Sequence, residues 1–432
     1  MSGQRDIRIH VPVLARVEGE GALELSASGG RIQALRLRIF EPPRYFEKFL
    51  EGREYQEIPD IVARICGICP VAYQMSAVQA IEQAFGVAPD PWALALRRVM
   101  YCGEWIQSHA LHIHLLAAPD FLGYESVIEM AEDHPEAVRR GLALQGLGNA
   151  LIRLCGARSV HPVGVCPGGF YHAPSMKETR AMAARLEAAL PEAEATLRWT
   201  ASLALPEDDQ AFINVALRHA DEYAIDGGRI ASDSGVDVAI PDYPRHFTEY
   251  HEPHSTALYS SLDGQPYLVG PLARVNLNKA QLGRVAGILD QTGVAFPSRN
   301  MFHSIVARAA EVLYAIGEAM RLLQGYRLPQ APRVPVTPRA GVGFGATEAP
   351  RGLLWHRYEF DARGRVVSAR IVPPTAQNQA RMEQDLRSSL ERYGLDRDDD
   401  AIRLRGETVI RNYDPCISCA THFLKVRIER NG

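Results

Sequence analysis

The sequence predicts a mostly α protein with small β elements, an α+β class. Two observations carry this. Apolar residues recur at helical spacing through most of the 432 residues, and alternation is confined to the first forty residues, a stretch near residue 360 and the tail, where Leu424, Val426 and Ile428 alternate. The composition, 47% hydrophobic and 23% charged, is that of a globular protein with apolar residues for one or two substantial cores.

Taken in order, Ile7 to Val11 and Leu35 to Ile39 alternate as strands, with Gly29-Gly30 as a turn between segments. Pro59 and Asp60 open a helical pattern through Ile61, Ile65, Ile68 and Ala72, ending near Gly86. Pro91 opens another, through Trp105, His109 and His112. Ser175 and Glu178 form a capping box ahead of Met182, Leu186 and Leu190. Ser304 precedes the clearest stripe: Ile305, Ala309, Val312, Ile316, Ala319 and Leu323, ending at Gly325. Leu353 to Phe360 and Val366 to Val372 flank Asp361-Ala362-Arg363-Gly364 as a hairpin. A helix from about Thr375 to Tyr393 follows, and Pro329 to Pro338 reads as a connection. There is no internal repeat and no low-complexity block.

Charge narrows the function. Lys plus Arg is 47 and Asp plus Glu is 51, a net −4, which lacks the basic surplus of a nucleic-acid binder. No apolar run of ~18 residues spans a membrane, and the first residues lack the long apolar stretch of a secretory signal, so a cytoplasmic location is expected. Gly341-Val342-Gly343-Phe344-Gly345 is Gly-rich but opens no clear helix, so it is not a dinucleotide fingerprint.

Seven cysteines, an odd number, fit a disulfide framework poorly. Four of them form two C-x-x-C pairs near opposite ends: Cys66 and Cys69 in Arg64-Ile65-Cys66-Gly67-Ile68-Cys69-Pro70, and Cys416 and Cys419 in Asp414-Pro415-Cys416-Ile417-Ser418-Cys419. In such a pair both sulfurs can turn to one point, and four thiolates complete one coordination shell. Spacing alone leaves a structural zinc site, an iron–sulfur cluster and a dithiol redox centre open. Compact zinc modules, however, separate their pairs by ~15–20 residues. Here the whole fold must close before the site exists. Cys102, Cys155 and Cys166 read as buried apolar cysteines.

The two pairs resemble the signature motifs of nickel–iron hydrogenase large subunits. Three further segments agree: Arg16-Val17-Glu18-Gly19, Glu348-Ala349-Pro350-Arg351-Gly352 and Pro374-Thr375-Ala376-Gln377-Asn378. The resemblance runs from residue 16 to 422 and is strongest to the cytoplasmic, pyridine-nucleotide-linked branch that includes the sulfhydrogenases. It implies that family's large-subunit fold with a central helical bundle, as one domain over residues 1–422. It also implies a tail, 423–432, that a maturation protease removes once nickel is inserted.

Carried over residue by residue, the resemblance makes Cys66 and Cys416 terminal nickel ligands and Cys69 and Cys419 bridges to iron. The iron would carry carbon monoxide and two cyanides. Thr375 matches the hydroxyl that bonds a cyanide, although a helix N-cap is its plain alternative. Pro350 and Arg351 lie in the segment beside the metals. Magnesium would be held by Glu47, the His422 side chain and the Ile371 carbonyl. The reaction implied is the reversible heterolytic splitting of H2 into hydride and proton. Of the candidate bases, a guanidinium with a pKa above ~12 is poor, so Cys416 is expected to take the proton and pass it to Glu18. The alternative for Glu18 is a salt bridge to Arg16, and for Asp414, otherwise the partner of Arg351, a simple Asp-Pro turn.

Electrons would leave through an iron–sulfur small subunit and reach NAD(P) through flavin-bearing diaphorase subunits. A structural zinc protein or a non-catalytic relative in a redox complex is the competing reading. One position departs from the family: its usual histidine four residues after the second cysteine is here Tyr73. His109, His112 and His114 read as hydrogen-bonded core residues, not ligands.

Overall fold

The computed structural model describes residues 6–421. His422 and the tail 423–432 lie outside them. The chain opens with three antiparallel strands, β1 (Ile7–Val11), β2 (Gly21–Ser28) and β3 (Arg31–Ile39), in sequential order. Gly29 and Gly30 both take positive φ (60° and 71°), which is what the tight β2–β3 turn requires.

Short helices α1 (Phe46–Leu50) and α2 (Ile58–Val62) lead to α3 (Pro70–Phe85) and α4 (Pro91–Leu111). The helical pattern expected to run unbroken from Pro59 to Gly86 is therefore interrupted. Residues 63–69 leave the helix and carry Cys66 and Cys69, and helix restarts with Pro70 at its first position, where its missing N–H costs nothing.

A π-helical turn (His112–Ala117) follows α4, then α5 (Ala118–Leu122), α6 (Val127–Asp133) and α7 (Pro135–Gly156). The strand pair β4 (Val165–Cys166) and β5 (Gly169–Phe170) precedes α8 (Met176–Ser202). The Ser175–Glu178 capping box is present. Pro191 does not end α8; it is solvent-exposed in mid-helix, where its lost hydrogen bond falls on the wet side.

The middle of the chain holds β6 (Val215–Arg218), β7 (Arg229–Ser232) and β8 (Asp237–Val238), the pair β9 (Phe247–His251) and β10 (Leu258–Leu262), then α9 (Pro271–Asn278) and α10 (Arg284–Gln291). Next come α11 (Ser304–Gln324) and a three-stranded antiparallel sheet, β11 (Gly341–Ala349), β12 (Gly352–Phe360) and β13 (Val366–Val372). The chain ends in α12 (Pro374–Tyr393), α13 (Asp399–Tyr413) and α14 (Ile417–Ala420).

Helices α4, α7, α8 and α11 form the central bundle. Much of the last two-thirds of α4 is buried, Val99 to Ala110 without interruption. β11 lies directly on α3. A Cβ at Gly343 would stand 1.8 Å from the Ala80 carbonyl oxygen, and one at Gly345 2.1 Å from that of Ser76. The Gly-rich run is thus a close-packed strand, not a phosphate loop. One large core fills the bundle, and a smaller one, around Tyr243, Phe247, Tyr267 and Trp355, lies beneath β6 and β12.

Candidate metal centre

The loop between α2 and α3 and the turn between α13 and α14 meet inside the protein. They bring Cys66, Cys69, Cys416 and Cys419 together, all buried, with their sulfurs within 4.8 Å of one another. Cys416 Sγ lies 3.3 Å from Cys66 Sγ and 2.7 Å from Cys419 Sγ, and Cys69 Sγ is 3.7 Å from Cys419 Sγ. Burial pushes the Cys416 and Cys419 thiols upward. Four buried sulfurs this close can be anionic together only around a cation.

Local structure fixes each pair. The N–H groups of Ile68 and Cys69 both point to Cys66 Sγ at 3.3 Å. Two residues of α4, three apart on one face, hold this loop from below. Glu104 accepts from the N–H of Val71 (2.6 Å) and Ala72 (3.1 Å), and Gln107 donates to the Ile68 carbonyl (2.6 Å). Burial pushes the Glu104 carboxyl well above its usual range, against those two N–H bonds. Arg44 ties the pairs to each other: it donates to the carbonyls of Ile65 (2.6 Å) and Ser418, and its N–H bonds Thr421 O at 2.8 Å. Sequence reasoning missed all three. For Glu104 and Gln107 a signal existed, since polar side chains on the apolar face of a buried helix need partners; Arg44, in a loop, gave none.

Replacing Glu104 by alanine leaves two buried N–H groups unpaired beside Cys69. The variant is expected to lose about 2–3 kcal/mol of stability to denaturant, with glutamine recovering part of it through its one acceptor oxygen. Equal midpoints for wild type and alanine would contradict this.

The second pair rests on Glu18 and Thr375. The Glu18 main chain bridges Cys416, with Ile417 N–H donating to Glu18 O at 3.0 Å. Its carboxylate Oε2 lies 3.1 Å from both Cys416 Sγ and the Ser418 N–H. The alternative of a Glu18–Arg16 pair is corrected: Arg16 bonds Asp120 instead. Glu18 is half-buried, with one end on a sulfur. Thr375 Oγ1 accepts from Cys416 N–H at 3.0 Å. Its N-cap alternative is also corrected, because α12 begins at Pro374 and Thr375 is already inside the first turn.

Arg351 and Pro350 form the turn between β11 and β12. Arg351 donates from Nε to the Asp414 main-chain carbonyl (2.6 Å) and from Nη2 to its carboxylate (2.9 Å), so Asp414 is more than a turn residue. Burial acts against the Arg351 charge, but Asp414 and the sulfurs of Cys416, Cys69 and Cys66 outweigh it and hold its pKa above the ordinary value. Pro350 O accepts from Arg274 at 3.1 Å. Tyr73 is fully buried on α3, and burial together with the four sulfurs pushes its hydroxyl upward. Among the described residues, its hydroxyl and Arg351 Nη1 have no hydrogen-bond partner. Two orphaned donors beside four soft sulfurs fit a metal group carrying acceptor ligands of its own.

Glu47 and Ile371 are adjacent, with Ile371 N–H donating to Glu47 Oε1 at 2.7 Å; the third expected magnesium ligand, His422, lies outside the described residues. The three histidines of α4 and its π-turn are core residues. His109 bonds Glu311 (2.9 Å), His112 bonds Arg411 O (2.9 Å), and His114 stacks on Trp199. Burial lowers them to about 4, 3 and 3 respectively, so all are neutral near pH 7. No helix among the described residues is long and apolar enough to cross a membrane.

Known proteins resemble this chain over nearly its whole length. The nickel-dependent hydrogenase family matches over residues 44–143 and 248–422. Sulfhydrogenase 1 subunit alpha of Pyrococcus furiosus is 34% identical over 97% of this chain and 98% of its own length. The NAD-reducing hydrogenase HoxS subunit beta of Cupriavidus necator is 28% identical over 96% and 95%. A crystal structure of an NAD+-reducing [NiFe]-hydrogenase in the H2-reduced state superposes with a TM-score of 0.85, at 28% identity, over 96% of this chain and 99% of its own. The chain is a member of the nickel-dependent hydrogenase family, a large subunit in which a cysteine cluster suited to metal is buried where the α2–α3 loop meets the α13–α14 turn.

Proposed function

We propose that Cys66, Cys69, Cys416 and Cys419 would hold nickel and iron, with carbon monoxide and two cyanides completing the iron. The metals supply the place where H2 is polarised and split and where its electrons are taken up. One observation supports this reading above the others: a carboxylate oxygen, Glu18 Oε2, stands 3.1 Å from one sulfur of a buried four-sulfur cluster. A structural zinc site has no use for an acid at its sulfur.

The residues divide the remaining work. Cys416 Sγ takes the proton, and Glu18 Oε2 receives it and carries it outward from a half-buried position. Arg351 is too strongly held in its charged form by Asp414 and the sulfurs to act as the base. It serves as a fixed positive charge and donor beside the metals, with Pro350 shaping the turn that presents it. Thr375 has already accepted a bond from Cys416 N–H, so its own O–H is available to donate to a cyanide. The unpartnered Tyr73 hydroxyl is a second such donor, in place of the histidine usual in the family.

Glu47, the Ile371 carbonyl and His422 would hold magnesium, and a maturation protease would remove residues 423–432. An iron–sulfur small subunit takes the electrons, because only Cys102, Cys155 and Cys166 are left outside the four-sulfur cluster, too few to hold a relay. From there they pass through flavin-bearing diaphorase subunits to NAD(P), as the NAD-reducing relatives suggest, in the cytoplasm. Purified with its partner chains, the protein is expected to reduce NAD+ or NADP+ under H2. H2-dependent reduction of an artificial dye with neither nucleotide reduced would overturn the acceptor.

A further inference from the structure

Arg308 is a buried charge that the chemistry above leaves unused. It lies on α11, 1% exposed, on the apolar face that carries Ile305, Ala309 and Val312. A guanidinium there must be matched by partners. Its Nη1 lies 3.5 Å from Asp414 Oδ2 and 3.5 Å from His109 Nδ1, and Nη2 donates to the Tyr413 carbonyl at 3.3 Å. Asp414 Oδ1, the other oxygen, takes Arg351 Nη2 at 2.9 Å. One carboxylate is therefore shared between two guanidinium groups, one on each oxygen.

The far side of Arg308 is equally determined. Glu311 accepts from His109 Nε2 at 2.9 Å and is itself clamped by Arg274 (2.7 Å to each oxygen) and by the Tyr223 hydroxyl (2.7 Å). Despite the burial that opposes its charge, Arg274 holds Glu311 down at about 2, so it is an acceptor only. His109 Nε2 is then the protonated nitrogen, and Nδ1 keeps a lone pair turned to Arg308. The file Glu311–His109–Arg308–Asp414–Arg351 runs unbroken from the bundle core to the sulfur cluster.

Asp414 needs such support. It sits just past the end of α13 with φ 55°, its N–H on the Arg411 carbonyl at 2.9 Å, and a carboxylate gripped on one oxygen can rotate about its own axis. Anchoring both oxygens fixes its plane and, with it, the direction in which Arg351 is held.

We propose that Arg308 is a positioning residue for the hydrogenase reaction: it takes the outer oxygen of Asp414 so that the inner oxygen and main-chain carbonyl of Asp414 hold Arg351 beside the sulfurs, with His109 and Glu311 setting the orientation of Arg308 itself. This rests on the reading of the four sulfurs as the reaction centre.

A double-mutant cycle in the purified heteromeric complex tests it, with nickel and iron measured in every variant. Arg308→Gln is expected to lower kcat for H2 oxidation roughly tenfold with KM for H2 unchanged. Because Arg308 acts through Asp414, the double variant Arg308→Gln/Asp414→Asn is expected to be no slower than Asp414→Asn alone. Arg308→Lys, which keeps the charge, is expected to recover most of the lost rate. If the glutamine variant fails to take up metal, Arg308→Lys decides alone: metal taken up with turnover near wild type supports the proposal, and metal taken up with turnover still about tenfold down overturns it. Losses that multiply, unimpaired turnover in Arg308→Gln, or a loss confined to KM would each overturn the proposal. Failure of the metal reading shows separately, as wild-type complex without nickel and with no iron beyond that of the small subunit's clusters.

Discussion

Serine in place of Cys416 leaves the assembled complex without its nickel and lowers H2 turnover by ~10³-fold or more. Cys416 Sγ lies close to its neighbours, 2.7 Å from Cys419 and 3.3 Å from Cys66, and it touches Glu18 at 3.1 Å. A serine hydroxyl is nearly the same size, so packing in this fully buried turn is preserved. It is, however, a harder donor that stays protonated near neutral pH, whereas nickel prefers thiolate. The fold should survive, because Ile417 N–H still bonds Glu18 O, and Cys416 N–H still bonds Thr375. Nickel content per chain and H2 uptake are the measurements, and a serine variant that keeps both would remove Cys416 from the centre.

Glutamine in place of Glu18 has the opposite signature: metal stays and turnover goes. The amide oxygen can still accept the Ser418 N–H that Glu18 Oε2 accepts at 3.1 Å, so the second cysteine turn keeps its shape. An amide cannot take up and release a proton, and loss of a positioned acid–base group costs ~10²–10⁴-fold. H2 oxidation and H/D exchange should therefore fall together, since in the proposed route both need the proton to pass from Cys416 to Glu18. Near-normal exchange with normal metal content would show that protons depart by another route.

Much of the centre was legible in the sequence because its chemistry is carried by rare residue types in fixed spacing. Two C-x-x-C pairs, a Glu-Gly after Arg16, an Arg-Gly after Ala-Pro and a Pro-Thr ahead of a helix are short local signals. The structure brings all of them to one place. What was not legible is the scaffold of ordinary residues behind them. Glu104, Gln107 and Arg308 act at distances of tens to hundreds of residues along the chain, and nothing in their neighbourhoods names the partner. They could have been suspected only as polar side chains interrupting an apolar stripe, as Arg308 and Glu311 interrupt the one on α11.

The fold was read in the same uneven way. Long helices and the β12–β13 hairpin followed from periodicity and turn residues. The break at residues 63–69 did not, because Ile61, Ile65, Ile68 and Ala72 keep helical spacing straight through the loop that bears the first cysteine pair. There tertiary contacts, Glu104 and Gln107 above all, override the local pattern. The strand β11 was hidden by its glycines, whose lack of side chains lets it lie on α3 but erases any alternation. Helix α13, with the left-handed Asp414 at its end, was not anticipated at all.

Four cysteines from distant parts of the chain are proposed to hold nickel and iron for the splitting of H2. Elemental analysis and infrared spectroscopy of the purified, matured complex test this together. One nickel bound at this centre, iron beyond that of the small subunit's clusters, and absorption bands of one carbonyl and two cyanide ligands are expected. Zinc without nickel, or nickel and iron with no such bands in a matured complex, would contradict it.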